Sequence, residues 1–351
     1  MRRCARSGGP SGKTDRNKKV LPRREFSRQL HNRRQITVTV VEAIIEGIIQ
    51  GATEFLPVSS SGHLSLSKHF LGISVDSLLF DVMLHVGTLV AVLAVYYKVV
   101  LRLIVAFGLL VKDLVTGQFR WSRMNEDRRL LIMLIIALIP LFLLFLPVPG
   151  TGMKVKDFAD VFATDNDIVL EGCALIVTSI LLTLGILASR RSQGAHLVMR
   201  KKYEHNGREA FRVSDAIAVG VTQCIAAVFP GVSRSGSTLS VGLMRGVDRQ
   251  AALDFSFVLG IPSILAASVL TVKDAIHENV AVEAAPLIAG MVTAAVVGFL
   301  AIKLLRWMVT TNKLHVFAWY TLILGIVSVV VGVIEHTTGV NVFTGAAITF
   351  S

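Results

Sequence analysis

With 351 residues, 53% of them hydrophobic and only 17% charged, the chain is far more apolar than a soluble domain of its size, which excludes an ordinary water-soluble enzyme and reads as a polytopic membrane protein. The formal net charge of +12 does not point to a nucleic-acid partner, because residues 1–34 hold twelve Lys and Arg against Asp15 and Glu25, which leaves the tail at +10 and the rest of the chain at about +2. Cys4, Cys173 and Cys224 are odd in number and lack metal spacing, so they predict neither a disulfide framework nor a zinc site.

Taken in order, residues 1–35 form a basic tail without apolar periodicity, expected to be disordered. A targeting peptide or an upstream start codon has the same composition. Residues 46–65, EGIIQGATEFLPVSSSGHLS, are built unlike the apolar runs that follow, with Gln50, Glu54 and His63 placed close to Pro57, three serines and Gly62. Ionisable groups at membrane depth cost several kcal/mol each and mark sites. The Pro/Ser/Gly break frees backbone N–H groups that lipid cannot satisfy, so the segment has to line protein or water. An interfacial segment, or serines that only cap the next helix, are the plainer readings. Spanning candidates follow at about 78–111, 130–148, 168–189, 253–272, 284–305 and 314–334, each near the ~20 residues a crossing requires.

Residues 213–243 are interrupted in the same way and repeat the first break. Gly47, Gln50 and Pro57 fall opposite Gly220, Gln223 and Pro230, each 173 residues on, and PVSSSG answers PGVSRSG with one residue inserted. The expected fold is therefore an all-α polytopic membrane protein of two inverted repeats, each a re-entrant helical hairpin plus three transmembrane helices. The first repeat covers 36–190 with its hairpin at about 40–70, and 191–212 is a basic cytoplasmic loop. The second repeat covers 213–351 with its hairpin at about 213–246. An odd number of crossings inverts the second copy and brings the broken segments together near the midplane. The loops 112–129 and 190–212 are basic while 149–167 and 273–283 are acidic or balanced, which places the basic loops in the cytoplasm. The same count leaves the basic tail outside, so either the tail is not part of the mature protein or segment 36–56 crosses the membrane once.

Joined, the two breaks would assemble Glu54, Ser59, Ser60, Ser61 and His63 with Ser233, Arg234, Ser235, Ser237 and Thr238. In residue types this is a phosphate site. Arg presents a planar fork of donors to phosphate oxygens, SRSGST offers hydroxyls and N–H groups at a helix start, and Ser beside His can be an activated nucleophile. A Glu in the pocket can hold a divalent cation that bridges phosphate oxygens. Arg234 as a structural ion pair and His63 as a buried histidine bonded to a carbonyl are the plain alternatives, and for Asp81 and His85 the structural role is the expectation. The SGH at 61–63 resembles the middle element of the type 2 phosphatidic acid phosphatases. Their third element requires His and Asp where this chain has Ser240 and Met244, which excludes that family.

Residues 50–63, QGATEFLPVSSSGH, and 230–238, PGVSRSGST, resemble the (E/Q)xxxE–PVSSxGH and PGxSRSGxT segments of the bacterial undecaprenyl-diphosphate phosphatases, also called bacitracin-resistance proteins. The resemblance runs from about residue 40 to the carboxyl end. It implies a multi-pass enzyme of the bacterial cytoplasmic (inner) membrane that hydrolyses undecaprenyl diphosphate to the monophosphate and inorganic phosphate with Mg2+ or Ca2+. Such an enzyme recycles the carrier lipid of cell-wall synthesis and confers bacitracin resistance. Its partners are the polyprenyl diphosphate and membrane lipid, with no nucleic acid, and a homodimer is compatible with it. The resemblance makes Gln50 and Glu54 the (E/Q)xxxE pair, with Glu54 the metal carboxylate, Ser60 and His63 the Ser/His pair and Arg234 the phosphate-binding arginine. Gln50 stands where many members carry Glu. An inverted-repeat transporter or flippase of an anionic polyprenyl phosphate is the alternative of a different class.

Overall fold

The computed structural model describes residues 35–36, 38–72, 78–121, 124–148, 153–155, 168–197, 207–277 and 281–347. The basic tail and most of the 149–167 and 191–206 loop residues lie outside the described residues. Ten α-helices carry nearly all of the described chain: α1 Val40–Phe55, α2 Ser60–Leu71, α3 Leu78–Val115, α4 Glu126–Leu138, α5 Ile168–Leu197, α6 Val213–Val228, α7 Arg234–Met244, α8 Arg249–His277, α9 Ala284–Thr310 and α10 His315–Thr338. The one sheet among the described residues is a parallel pair of two-residue strands, β1 Gln35–Ile36 with β2 Ala281–Val282.

Among the described residues, six helices are long and apolar enough to cross a membrane: Leu79–Val115, Glu126–Phe145, Ile168–Arg191, Arg249–Lys273, Ala284–Thr310 and His315–Thr338. The fourth helix passes at Ile139 into a 3₁₀ turn, Ile139–Phe145, because Pro140 has no N–H to continue the α-ladder. The protein is a polytopic all-α membrane protein.

The remaining four helices form two hairpins. Helices α1 and α6 span 16 residues each, about 24 Å, too short for a ~30 Å hydrocarbon core. Both turn back at a proline. Helix α1 starts on a capping box in which Thr39 Oγ1 accepts from Glu42 N–H and the Glu42 carboxylate accepts from Thr39 N–H. It ends where Leu56, before Pro57, goes extended at φ −65°, ψ 143°. Helix α6 ends likewise at Phe229 before Pro230. Each returning helix is capped by a serine, Ser59 accepting from Gly62 N–H at 3.2 Å and Ser233 from Gly236 N–H at 3.0 Å. Ser59 sits at φ 75°, an uncommon setting for a residue with a Cβ, and the cap it makes holds it there.

The packing crosses between the two halves. Helix α1 lies on α9 and α6 on α4 and its 3₁₀ turn, while α3 packs on α8 and α5 on α10. The contact is close enough to need glycine at matched positions: a Cβ on Gly47 would stand 2.6 Å from Gly290 O, and one on Gly220 would stand 2.5 Å from Ala137 O. Five matched helices per half in this exchanged packing are compatible with two inverted repeats. Behind the hairpin tips lies the main apolar core, where Phe55 meets Phe257 edge-on at 5.3 Å between ring centroids and Tyr96 meets Phe257 at 6.0 Å. Burying Phe55 fixes the last turn of α1 and therefore the direction of its neighbour Glu54.

Candidate active site

The two hairpin tips touch through reciprocal hydrogen bonds. Gly231 N–H donates to Ser61 Oγ at 3.2 Å, and Ser235 Oγ donates to the Leu56 carbonyl at 3.2 Å. Ser61 and Ser235 are matched positions, so each hairpin uses the same serine to grip the backbone of the other. Across this joint the chain places its charges. Glu54, 6% exposed, receives Arg234 Nη2 on Oε1 at 2.8 Å and, on Oε2, Ser60 Oγ at 2.7 Å and Gln50 Nε2 at 3.0 Å. Three donors on one carboxylate fit its ionised form. The side chain of Arg234 is 21% exposed, and the guanidinium lies on α8 at Gly260, where a Cβ would overlap it.

His63 is on α2, one turn from Ser60. Its Nδ1 lies 2.7 Å from the Ser59 carbonyl oxygen and its Nε2 2.8 Å from Tyr320 Oη, with the two rings stacked at 5.6 Å between centroids. A carbonyl only accepts, so Nδ1 carries the proton, and Nε2 keeps a lone pair that accepts from the tyrosine hydroxyl.

Of the residues singled out in the sequence, Glu54, Gln50, Ser60 and Arg234 form one hydrogen-bonded group, with Ser61 and Ser235 joining the tips around it. The structure engages Ser60 with Glu54, where the sequence reading pairs it with His63. The other hydroxyls are occupied by structure: Ser59 and Ser233 cap helices, and Thr238 bonds the Arg234 carbonyl at 2.9 Å and Ser256 Oγ at 2.6 Å. Ser237 is fully buried, with no hydrogen-bond partner for its Oγ among the described residues.

Two further residues reach the site. His85 takes the expected structural bond, Nδ1 to the Asp81 carbonyl at 2.8 Å, and also turns Nε2 to within 3.5 Å of Glu54 Oε2. Asp81 is paired with Lys68 at 2.8 Å. Tyr320, from the last spanning helix, had no signal beyond being a tyrosine in an apolar run. His85 lies in residues 80–87, FDVMLHVG, and the segment 173 residues on, 253–260, LDFSFVLG, supplies Gly260.

A buried carboxylate, a cation and a hydroxyl gathered where two broken hairpins meet among six spanning helices define a polytopic membrane protein with a charged centre between its hairpin tips. The family model described as bacitracin resistance protein BacA matches residues 43–327, and the chain belongs to that family. It is similar to proteins named undecaprenyl-diphosphatase. That of Alkaliphilus metalliredigens is 37% identical over 292 residues, 82% of this chain and 97% of the relative. Those of Desulforapulum autotrophicum and Methanosphaera stadtmanae are 34% and 33% identical, covering 83% and 84% of this chain and 98% and 99% of the relatives.

Proposed function

We propose that the protein hydrolyses undecaprenyl diphosphate to undecaprenyl phosphate and inorganic phosphate in the bacterial cytoplasmic membrane, recycling the carrier lipid of cell-wall synthesis. The observation that carries this reading is the Arg234–Glu54–Ser60 group at the joint of the two tips. It puts a phosphate-binding fork and a hydroxyl on the same carboxylate. The diphosphate head enters between the tips while the polyprenyl tail stays among the helices. Arg234 bonds Glu54 through Nη2 and turns its remaining donors to the terminal phosphate.

Ser60 Oγ then attacks the terminal phosphorus as its proton passes to the Glu54 carboxylate it already faces. The bond from phosphorus to the bridging oxygen breaks, and the lipid leaves as a monophosphate that needs little protonation at neutral pH. Water next attacks the phosphoserine phosphorus, giving a proton to His63 Nε2, while the bond from phosphorus to Ser60 Oγ breaks, Oγ takes back the proton held by Glu54, and inorganic phosphate departs with the proton from His63. The Nδ1–H bond to the Ser59 carbonyl holds His63 in the tautomer this step needs.

The residues suit Mg2+ or Ca2+, which take oxygen ligands. Glu54 offers a carboxylate, and Gln50 Oε1 beside it is buried without a hydrogen-bond partner among the described residues. No cluster of three His, Cys, Asp or Glu occurs among the described residues, so Glu54 and Gln50 would hold the ion together with phosphate oxygens and water. When bound, the ion neutralises charge on the diphosphate. Passive translocation of a lipid head does not require a hydroxyl held on a carboxylate, which disfavours a transporter. Phosphate release from the C55 diphosphate by purified protein, with and without a divalent cation, tests the proposal. Binding without release would overturn it.

A further inference from the structure

A second cationic group lies at the end of the bundle where α5 finishes and hairpin two begins. Two of the arginines there are spent on structure: Arg208 and Arg245 both pair with the fully buried Asp215, at 3.0 and 2.9 Å. Two others are not. Arg249, only 7% exposed, donates Nε to Ser189 Oγ at 2.8 Å, and among the described residues no carboxylate lies within ion-pair distance of Arg249 or of Arg190. The charge of Arg190 opposes that of Arg249. The neighbouring Asp248 attracts Arg249 from beyond ion-pair distance, and its Oδ2 is taken by the Gln250 and Ala251 N–H groups at 2.9 and 3.2 Å, so the buried cation has no direct ion pair among the described residues, which is costly.

Arg190 also forms the rim of a cleft of about 300 Å3 between α5 and α10. His315 stands with it at the polar end, and Ile186, Leu187, Trp319 and Leu322 continue the cleft along the helices. Leu187 and Trp319 are 45% and 62% exposed on spanning helices, so the cleft opens toward lipid acyl chains. From Arg190 to Ser179 at its inner end is eleven residues of helix, about 16 Å.

We propose that this cleft is a binding site for a membrane phospholipid with an anionic headgroup, its phosphate on Arg190 with Arg249 behind it and one acyl chain along Leu187, Trp319 and Leu322. Charge complementarity selects this occupant. A zwitterionic lipid brings no net negative charge to the two arginines, and a soluble anion leaves the apolar wall unused. Basic pockets between spanning helices on the cytoplasmic side are suited to anionic lipid heads, and the adjoining 190–212 loop has the composition of a cytoplasmic loop. The site is separate from the hairpin tips.

Trp319 lines the cleft, so it can report on its own ligand. Replacing Trp121 and Trp307 by Phe leaves it the one tryptophan of three. In nanodiscs of phosphatidylcholine doped with brominated phosphatidylglycerol, Trp319 quenching should reach half-saturation at about a tenfold lower mole fraction than with brominated phosphatidylcholine, the size expected for one to two cation–phosphate contacts. Arg190→Gln should remove that preference, and the remote Arg120→Gln should keep it. Equal quenching by the two lipids, or a preference that survives Arg190→Gln, would overturn the proposal. So would its loss to millimolar inorganic phosphate at constant ionic strength, which would make this a soluble-anion site. Native mass spectrometry of the unsubstituted protein gives a check free of the tryptophan changes: phosphatidylglycerol should be retained over phosphatidylcholine, and equal retention would count against the site.

Discussion

The Glu54 carboxylate and the Arg234 guanidinium meet at 2.8 Å across 180 residues of chain. That ion pair is where two hairpins of matching sequence become one centre, and it ties binding to stability. Glu54 cannot retreat to water, so any change at Arg234 acts on the fold as well as on the substrate.

Arg234→Ala should lower phosphate release by about 100-fold or more, the usual loss when a donor to developing phosphate charge is removed. Lys at this position should recover part of the rate, because a point charge cannot bond Glu54 and phosphate as a fork does. Thermal unfolding should show Arg234→Ala destabilised by about 3 kcal/mol, the cost of leaving a buried charge alone. Adding Glu54→Gln to it should return stability without returning activity. Near wild-type turnover in Arg234→Ala would remove the proposed site.

Gly260→Ala separates the two effects. Inside a helix the change favours folding by up to about 1 kcal/mol, yet here the new methyl occupies the place of the Arg234 guanidinium. The guanidinium keeps its charge and can still lean toward Glu54, so a loss of stability smaller than that of Arg234→Ala, with turnover roughly tenfold or more slower, is the expected pair of results, measured by unfolding and by phosphate release. An unchanged kcat/KM would mean that Arg234 has a second position that serves equally well.

These residues show how far the sequence could be read. Six spans were legible because lipid imposes length and apolarity on any crossing, and their ends shifted where polar residues extend a helix into water. Helix α3 runs to Val115 instead of about 111, and Asp113 pairs with Arg128 at 2.5 Å. Glu54 and Arg234 stood out as charges in apolar surroundings. The division of labour among the hydroxyls was not legible, because capping, joining the tips and facing Glu54 differ only in angle. Tyr320 bonds His63 from 257 residues away, and no local pattern carries that distance. The strand pair at residues 35–36 and 281–282 is too short to show a period.

Chelation should abolish turnover, and added Mg2+ or Ca2+ should restore it. Glu54→Gln should raise the cation concentration needed for half-maximal activity, since an amide is a far weaker ligand for a hard cation than a carboxylate. Gln50 is already neutral and cannot substitute. Mn2+ binding followed by electron paramagnetic resonance gives a readout independent of turnover, and an unchanged affinity in Glu54→Gln would move the cation elsewhere.

Tyr320→Phe removes the hydroxyl that His63 Nε2 accepts while keeping the stacked ring. The loss is one hydrogen bond, about 1 kcal/mol and therefore a factor of five to ten at most. A loss of 100-fold in phosphate release would give Tyr320 a direct part in proton transfer.

The division between Ser60 and His63 can be read from what each variant traps. If Ser60 attacks and His63 activates water for the second step, Ser60→Ala is nearly inactive and forms no adduct, whereas His63→Ala is nearly inactive and accumulates phosphate on the protein. The double variant should be hardly worse than either, because groups acting in one sequence lose their contribution together. Acid quenching identifies the linkage: phosphoserine survives acid and phosphohistidine does not. A phosphohistidine route predicts the reverse dependence, with His63→Ala dead and Ser60→Ala slowed by about one hydrogen bond, near tenfold. If neither variant nor wild type retains phosphate under trapping conditions, water attacks directly, and Ser60, already held by Glu54 at 2.7 Å, is a ligand of the phosphate rather than its acceptor.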